Sequence, residues 1–170
     1  ESDFKTIEAA KKFDDVNIFY QKKIGYGNAL IEGINNTQTE FFSIINADGS
    51  MNPNELSGMM DIINKENSDF VFGSRYMNNS GSEDDDITTT IGNFGFSLIG
   101  KIFFKLKISD ILYTFVIGKT ELAKELNLKS PDFKLCVELP IKVHRKKFKY
   151  VSYPCYERKR IAGIKKVSPF

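Results

Sequence analysis

The sequence lacks tryptophan altogether and has one histidine and two cysteines among its 170 residues. Two thiols without C-x-x-C spacing, beside a lone imidazole, argue against a zinc site, and they are too few for a disulfide framework. Cys136 and Cys155 read instead as buried, inert thiols. Long apolar runs are missing too. None approaches the roughly 18–20 residues that cross a bilayer. The first residues, Glu1-Ser2-Asp3, lack the basic-then-apolar order of a signal peptide, so a soluble chain is expected.

What is present suits one compact domain: 41% of residues are apolar and 27% charged, which excludes an intrinsically disordered chain. The net charge of +2 hides an asymmetry. Residues 1–141 carry 14 Lys/Arg against 21 Asp/Glu, a net of −7, whereas residues 142–170 carry 10 against Glu157 alone, a net of +9. A basic C-terminal segment favours an anionic partner, and acidic clusters elsewhere could recruit a metal ion; a merely solvated basic face is the plain alternative.

Periodicity predicts a helix over Lys5 to Phe13 and a short strand at Val16 to Gln21, rich in β-branched and aromatic residues. A second helix opens at Gly25-Tyr26-Gly27 and runs to about Asn35. The run Phe41 to Asn46 reads as a strand covered on both faces. A helix beginning after Asn52, with Pro53 at its first position, runs to about Asn64, and Asp69 to Gly73 is the next strand. Residues 78–87 form an acidic loop expected to be mobile. Beyond it come a long apolar helix from Ile87 to Phe104, an extended Ile111 to Ile117, a short helix near Glu121, a helix over 134–146 and a strand from Phe148 to Tyr153. Helices alternating with buried strands call for an α/β fold with a mostly parallel sheet, helices on both faces and ligands beyond the carboxyl ends of the strands. A domain of this kind ordinarily opens on a central strand. The sheet is therefore expected to lack its first strands, leaving 1–170 as a single, partial domain with an exposed edge that invites self-association.

Several positions could carry chemistry. Asn46 and Asp48, in N-A-D-G-S at the end of a buried strand, present hard oxygen ligands suited to Mg²⁺ or Mn²⁺ bridging a diphosphate, though Asp-Gly also marks a simple turn. Gly25-Tyr26-Gly27 does not fit the dinucleotide fingerprint, which excludes a nicotinamide cofactor and leaves a tight strand-to-helix turn or a phosphate cradle. Arg75, in G-S-R-Y, is either an anion clamp or half of a structural salt bridge. Glu138 lies within the apolar C-V-E-L-P-I as a paired core charge or a group aimed into the crevice. Cations clustered from Arg158 to Lys166 could wrap a phosphate, and the absence of interleaved aromatics argues against nucleic acid.

In order, the segments G-x-G-N-A-L-x-x-G, N-A-D-G-S, G-S-R-Y, S-D-I-L-Y-T and E-R-K-R-x-x-G-x-K-K-V resemble family 2 glycosyltransferases, especially the branch similar to dolichyl-phosphate mannose synthase. That resemblance implies a GT-A fold. It also implies an inverting, metal-dependent transfer of a sugar from a nucleotide-sugar donor to a polyprenyl phosphate or other envelope-glycan acceptor, at the inner, cytoplasmic face of a membrane that the protein contacts peripherally. Asp48 matches the second aspartate of the family's D-x-D motif, with Asn46 in the first position as a neutral departure. Arg75, Arg160 and Lys166 match basic residues that meet phosphates, with Arg158 and Lys165 as weaker additions. Asp110 matches a position near the sugar pocket, and Glu138 an acidic residue near the base of hydroxyl-directed relatives. The competing reading is a non-catalytic module, either a degenerate transferase fragment or a basic binding surface.

Overall fold

The computed structural model describes residues 2–85 and 87–161. In chain order the elements are helix α1 (Ser2–Ala10), helix α2 (Tyr26–Asn36), strand β1 (Phe41–Ile44), helix α3 (Glu55–Glu66) and strand β2 (Phe70–Ser74), followed by strand β3 (Gly81–Ser82) and helix α4 (Ile87–Phe104). Then come strand β4 (Val116–Lys119), helices α5 (Thr120–Glu125) and α6 (Leu135–Arg145), and strands β5 (Tyr150–Pro154) and β6 (Tyr156–Glu157).

The main sheet has the order β1-β4-β2-β5. β2 and β5 run parallel, while β4 lies antiparallel to both of its neighbours, so three strands share one direction and β4 opposes them. Every residue of β2 is buried, as its central place demands. Alternation sorts its side chains. Phe70 and Phe72 join a core with Ile34, Phe42 and Val143, while Val71 joins Met59, Phe115 and Ile117 on the other face, beneath α3. Gly73 is required by crowding, since a Cβ there would fall 2.9 Å from Cys155 Sγ and 3.0 Å from the Phe115 carbonyl oxygen. Both cysteines are free and buried. Burial pushes the Cys136 thiol up to about 11 and Cys155 further in the same direction, keeping both protonated at neutral pH, as inert thiols require.

Two expectations need correction. Val16 to Gln21 forms no strand, and Val16, Phe19 and Tyr20 are exposed. A strand needs a hydrogen-bonding neighbour, and no described strand pairs with this segment. β1 is consequently an edge rather than a strand covered on both faces, with Ser43 exposed between buried Phe42 and Ile44. An open cavity of about 730 Å³, lined by Phe19, Leu30, Ile34, Phe42 and Ile44 among others, runs along that edge. Within the acidic segment, Gly81 and Ser82 pair in parallel with Tyr156 and Glu157.

Candidate active site

The carboxyl ends of β1, β2 and β5 meet the start of antiparallel β4, so four loops converge there. After β1 the chain turns through Asn46-Ala47-Asp48-Gly49-Ser50. Asp48 Oδ1 accepts hydrogen bonds from the Ser50 amide (3.0 Å) and the Ser50 hydroxyl (2.8 Å), closing an Asx-type turn. Gly49 takes φ 83°, the left-handed region that favours glycine, and a Cβ there would strike Ile161.

That clash reflects how closely the C-terminal segment lies on the turn. The Arg158 amide donates to the Ser50 carbonyl at 2.9 Å, and the Ile161 amide to the Asp48 carbonyl at 2.8 Å. Arg160 Nη1 stands 3.8 Å from Asp48 Oδ2. Its Nε and Nη2 are already engaged with Asp84, at 3.1 and 2.6 Å, and this bidentate pairing raises the guanidinium pKa. The aspartate turn and the basic segment, more than a hundred residues apart in sequence, therefore face each other. Arg158 is exposed, and Lys165 and Lys166 lie outside the described residues.

Arg75 has a different situation from the expected phosphate clamp. It is 8% exposed. Its Nε and Nη2 hold Asp110 at 2.7 and 3.1 Å, and Nη1 holds Asp85 at 2.8 Å and Glu157 at 3.0 Å. The guanidinium also lies over the Tyr113 ring, 4.7 Å from its centroid. Burial opposes its charge, but Asp110, Glu157 and Asp85 outweigh that and leave its pKa raised. Of the two readings the sequence left open, the geometry gives the salt bridge. Asp110, 1% exposed, directs both oxygens at Arg75.

Glu138 likewise takes the paired alternative. Its carboxylate accepts the amides of Lys129 and Ser130 and binds Lys142 Nζ at 2.7 Å. Burial works against its charge, yet the Lys142 and Ser130 hydrogen bonds prevail and lower its pKa. A carboxylate so committed stabilises the 129–130 loop, and as a base it would be weak.

Sequence reasoning missed Tyr26, Asp84 and Glu157. Tyr26 opens α2, stacks on Phe133 with centroids 4.5 Å apart and shares a 2.9 Å hydrogen bond with the Thr114 hydroxyl. Burial raises its pKa, with smaller pushes from Cys136 and Asp48. Asp84 had a legible signal: the acidic run 83–86 is the charge complement of the basic run 158–160.

Among the described residues no group of three or more His, Cys, Asp or Glu is gathered for a metal. Asp48 and Asn46 offer two hard oxygens, and these suit a magnesium or manganese ion, which takes its remaining ligands from phosphates and water rather than from an all-protein cage.

Comparison with known proteins places the chain. The profile described as Glycosyl transferase family 2 matches residues 2–126. An uncharacterized glycosyltransferase of Rickettsia conorii is 38% identical over 64 residues, covering 37% of this chain and 11% of the relative. Glucosyl-3-phosphoglycerate synthase from Mycobacterium tuberculosis, solved with Mn²⁺, uridine diphosphate and glucosyl-3-phosphoglycerate, superposes with a TM-score of 0.61 at 13% identity, over 84% of this chain and 48% of that one. A structure described as a mycobacterial protein gives 0.64 at 11% identity, over 98% of this chain and 54% of that one. The chain thus spans about half the length of the solved structures it resembles, and they share its GT-A-like fold.

Proposed function

Because the chain belongs to glycosyltransferase family 2, we propose that it moves a sugar from a nucleotide diphosphate donor, with inversion, to a polyprenyl phosphate or related envelope-glycan acceptor at the cytoplasmic face of a membrane. One observation carries the reading. Arg160 faces Asp48 across 3.8 Å, on a segment tied to the Asp48 turn by two backbone hydrogen bonds. A metal-binding carboxylate opposed by a guanidinium is what a pyrophosphate needs on its two sides.

In this arrangement Asn46 and Asp48 would hold Mg²⁺ or Mn²⁺, which would supply charge neutralisation to a departing diphosphate. Arg160 exchanges Asp84 for a diphosphate oxygen, and Arg158 extends the cationic wall. An acceptor phosphate oxygen attacks the anomeric carbon opposite the diphosphate, whose bond to that carbon breaks with the electron pair leaving on the diphosphate. The attacking phosphate is already ionised, so no strong base is required and Glu138 can keep its loop. Arg75 and Asp110 act as positioning residues beneath the site.

Calorimetric titration of the intact protein with uridine and guanosine diphosphates, in Mg²⁺ or Mn²⁺, tests this. Metal-dependent binding weakened at least about tenfold by Asp48→Ala is expected, the loss of a charge-assisted contact. Absence of binding to either nucleotide with either metal overturns the reading. Transfer assays against polyprenyl phosphate and phosphoglycerate then decide the acceptor.

A further inference from the structure

Helix α4 is built the wrong way round for a helix packed on a soluble domain. Its polar side chains point inward: Asn93 Nδ2 donates to Asp85 at 3.0 Å, and the Ser97 hydroxyl, 4% exposed, accepts the Ile111 amide at 3.1 Å. Gly100 is seated so closely on Ile111 that a Cβ would fall 2.9 Å from its side chain, and Phe104 packs against the core. These contacts fix the rotation of the helix. Its large apolar residues consequently face out, with Ile91 at 68%, Phe94 at 58%, Ile102 at 63% and Phe103 at 75% exposure, and Phe96 and Ile99 beside them.

Spacing at 100° per residue spreads these side chains over more than half of the helix circumference, a far larger apolar face than a monomer ordinarily leaves in water. Charge identifies what covers it. From Ile87 to Lys107 there is no acidic residue, and three lysines, Lys101, Lys105 and Lys107, cluster at the C-terminal end, all exposed. A second copy packed on this face would set lysines against lysines in parallel; antiparallel, it would bring them toward the acidic run before α4, where Glu83, Asp84 and Asp85 already hold the Lys159 amide, Arg160 and Arg75. An anionic lipid surface satisfies both features at once, taking the apolar face into its acyl boundary and the lysines onto its phosphates. No helix among the described residues is long and apolar enough to cross a membrane, and at about 27 Å an 18-residue helix suits lying in the interface plane.

We propose that α4 is the membrane-docking element of this protein, inserting its Ile91/Phe94/Ile102/Phe103 face into an anionic bilayer. The choice of lipid agrees with, and in part rests on, the polyprenyl-phosphate reading above. The helix is wired to the donor site by short links: Asn93 holds Asp85, the neighbouring Asp84 holds Arg160, and Arg160 faces Asp48. A docked helix therefore sets the donor site against the lipid headgroups, where a lipid-linked phosphate is presented.

Vesicle co-sedimentation of the intact protein tests the docking, with phosphatidylcholine vesicles containing one-third phosphatidylglycerol compared with phosphatidylcholine alone. Stronger binding to the anionic vesicles is expected. The double variant Ile102→Glu/Phe103→Glu, at exposed positions, should weaken it about tenfold or more, and Lys101→Gln/Lys105→Gln/Lys107→Gln by about fivefold per lysine on anionic vesicles alone. Circular dichroism of each variant confirms the fold. Binding unchanged in both variants overturns the proposal. So does a sedimentation-equilibrium result in which Phe103→Glu converts a dimer to a monomer without affecting vesicles. Nucleotide binding, measured without vesicles, fails or survives separately, so loss of the transfer reading is not confused with loss of docking.

Discussion

Two arginines at the same end of the sheet have opposite fates. Arg75, at the end of a central strand, is enclosed by Asp110, Asp85 and Glu157, whereas Arg160, on the rim, holds one aspartate and faces a second. Both are cations near a carboxylate-rich loop, and sequence motifs treat them alike. Burial separates them. A guanidinium withdrawn from water and met by three carboxylates cannot be released to a substrate without uncovering buried charge. A partly exposed one exchanges partners at small cost, because water screens its pairs.

The sharpest way to break this comparison is Arg75→Ala. Leaving three buried carboxylates without their cation should destabilise the fold by about 3–5 kcal/mol, read as a shifted urea-unfolding midpoint with an unchanged slope. A loss under 1 kcal/mol would put Arg75 in the same class as Arg160. Next in size is Asp84→Asn, which frees Arg160 from its bidentate pair. If the acidic segment competes with diphosphate for that guanidinium, nucleotide binding should tighten several-fold, by about 1 kcal/mol. Weaker binding would make Asp84 a ligand-side residue instead.

A smaller effect is expected at Glu138, whose folded pKa is lowered. A depressed carboxylate contributes stability that is present above its unfolded value and lost as pH falls through the folded one. Glu138→Gln should therefore cost about 1 kcal/mol or less at pH 7, and the cost should shrink as pH falls, in paired thermal melts. A cost that stays constant with pH would show that shape rather than charge matters there. Smallest of all, Arg160→Ala should change stability by under about 1 kcal/mol while reducing nucleotide binding, the reverse of the Arg75 pattern.

Local pattern carried much of the architecture. The 3.6-residue period foretold α2, α3 and α4, and the apolar runs around Phe41, Phe70 and Val151 became β1, β2 and β5. Val16 to Gln21 has the composition of a strand and forms none, because pairing is a property of two segments and composition describes one. The N-A-D-G-S segment was legible both as a turn and as a ligand site, and the structure forms the turn. The partners of Arg75 were not legible. Two of them, Asp110 and Glu157, lie 35 and 82 residues away in sequence, beyond any window in which periodicity or spacing operates. Complementary charge between the acidic and basic runs was visible, but which carboxylate would meet which cation was not.

By itself the sequence determined most of the element types, the buried central strand and the supply of charge, since these follow from side-chain period, apolar content and composition. Tertiary structure alone decided that Arg75 is enclosed and Arg160 is available, that Glu138 serves a loop, and that α4 turns its apolar face to the outside. Each of those depends on the distance between residues far apart in the chain and on how much water remains between them, and folding is what sets both.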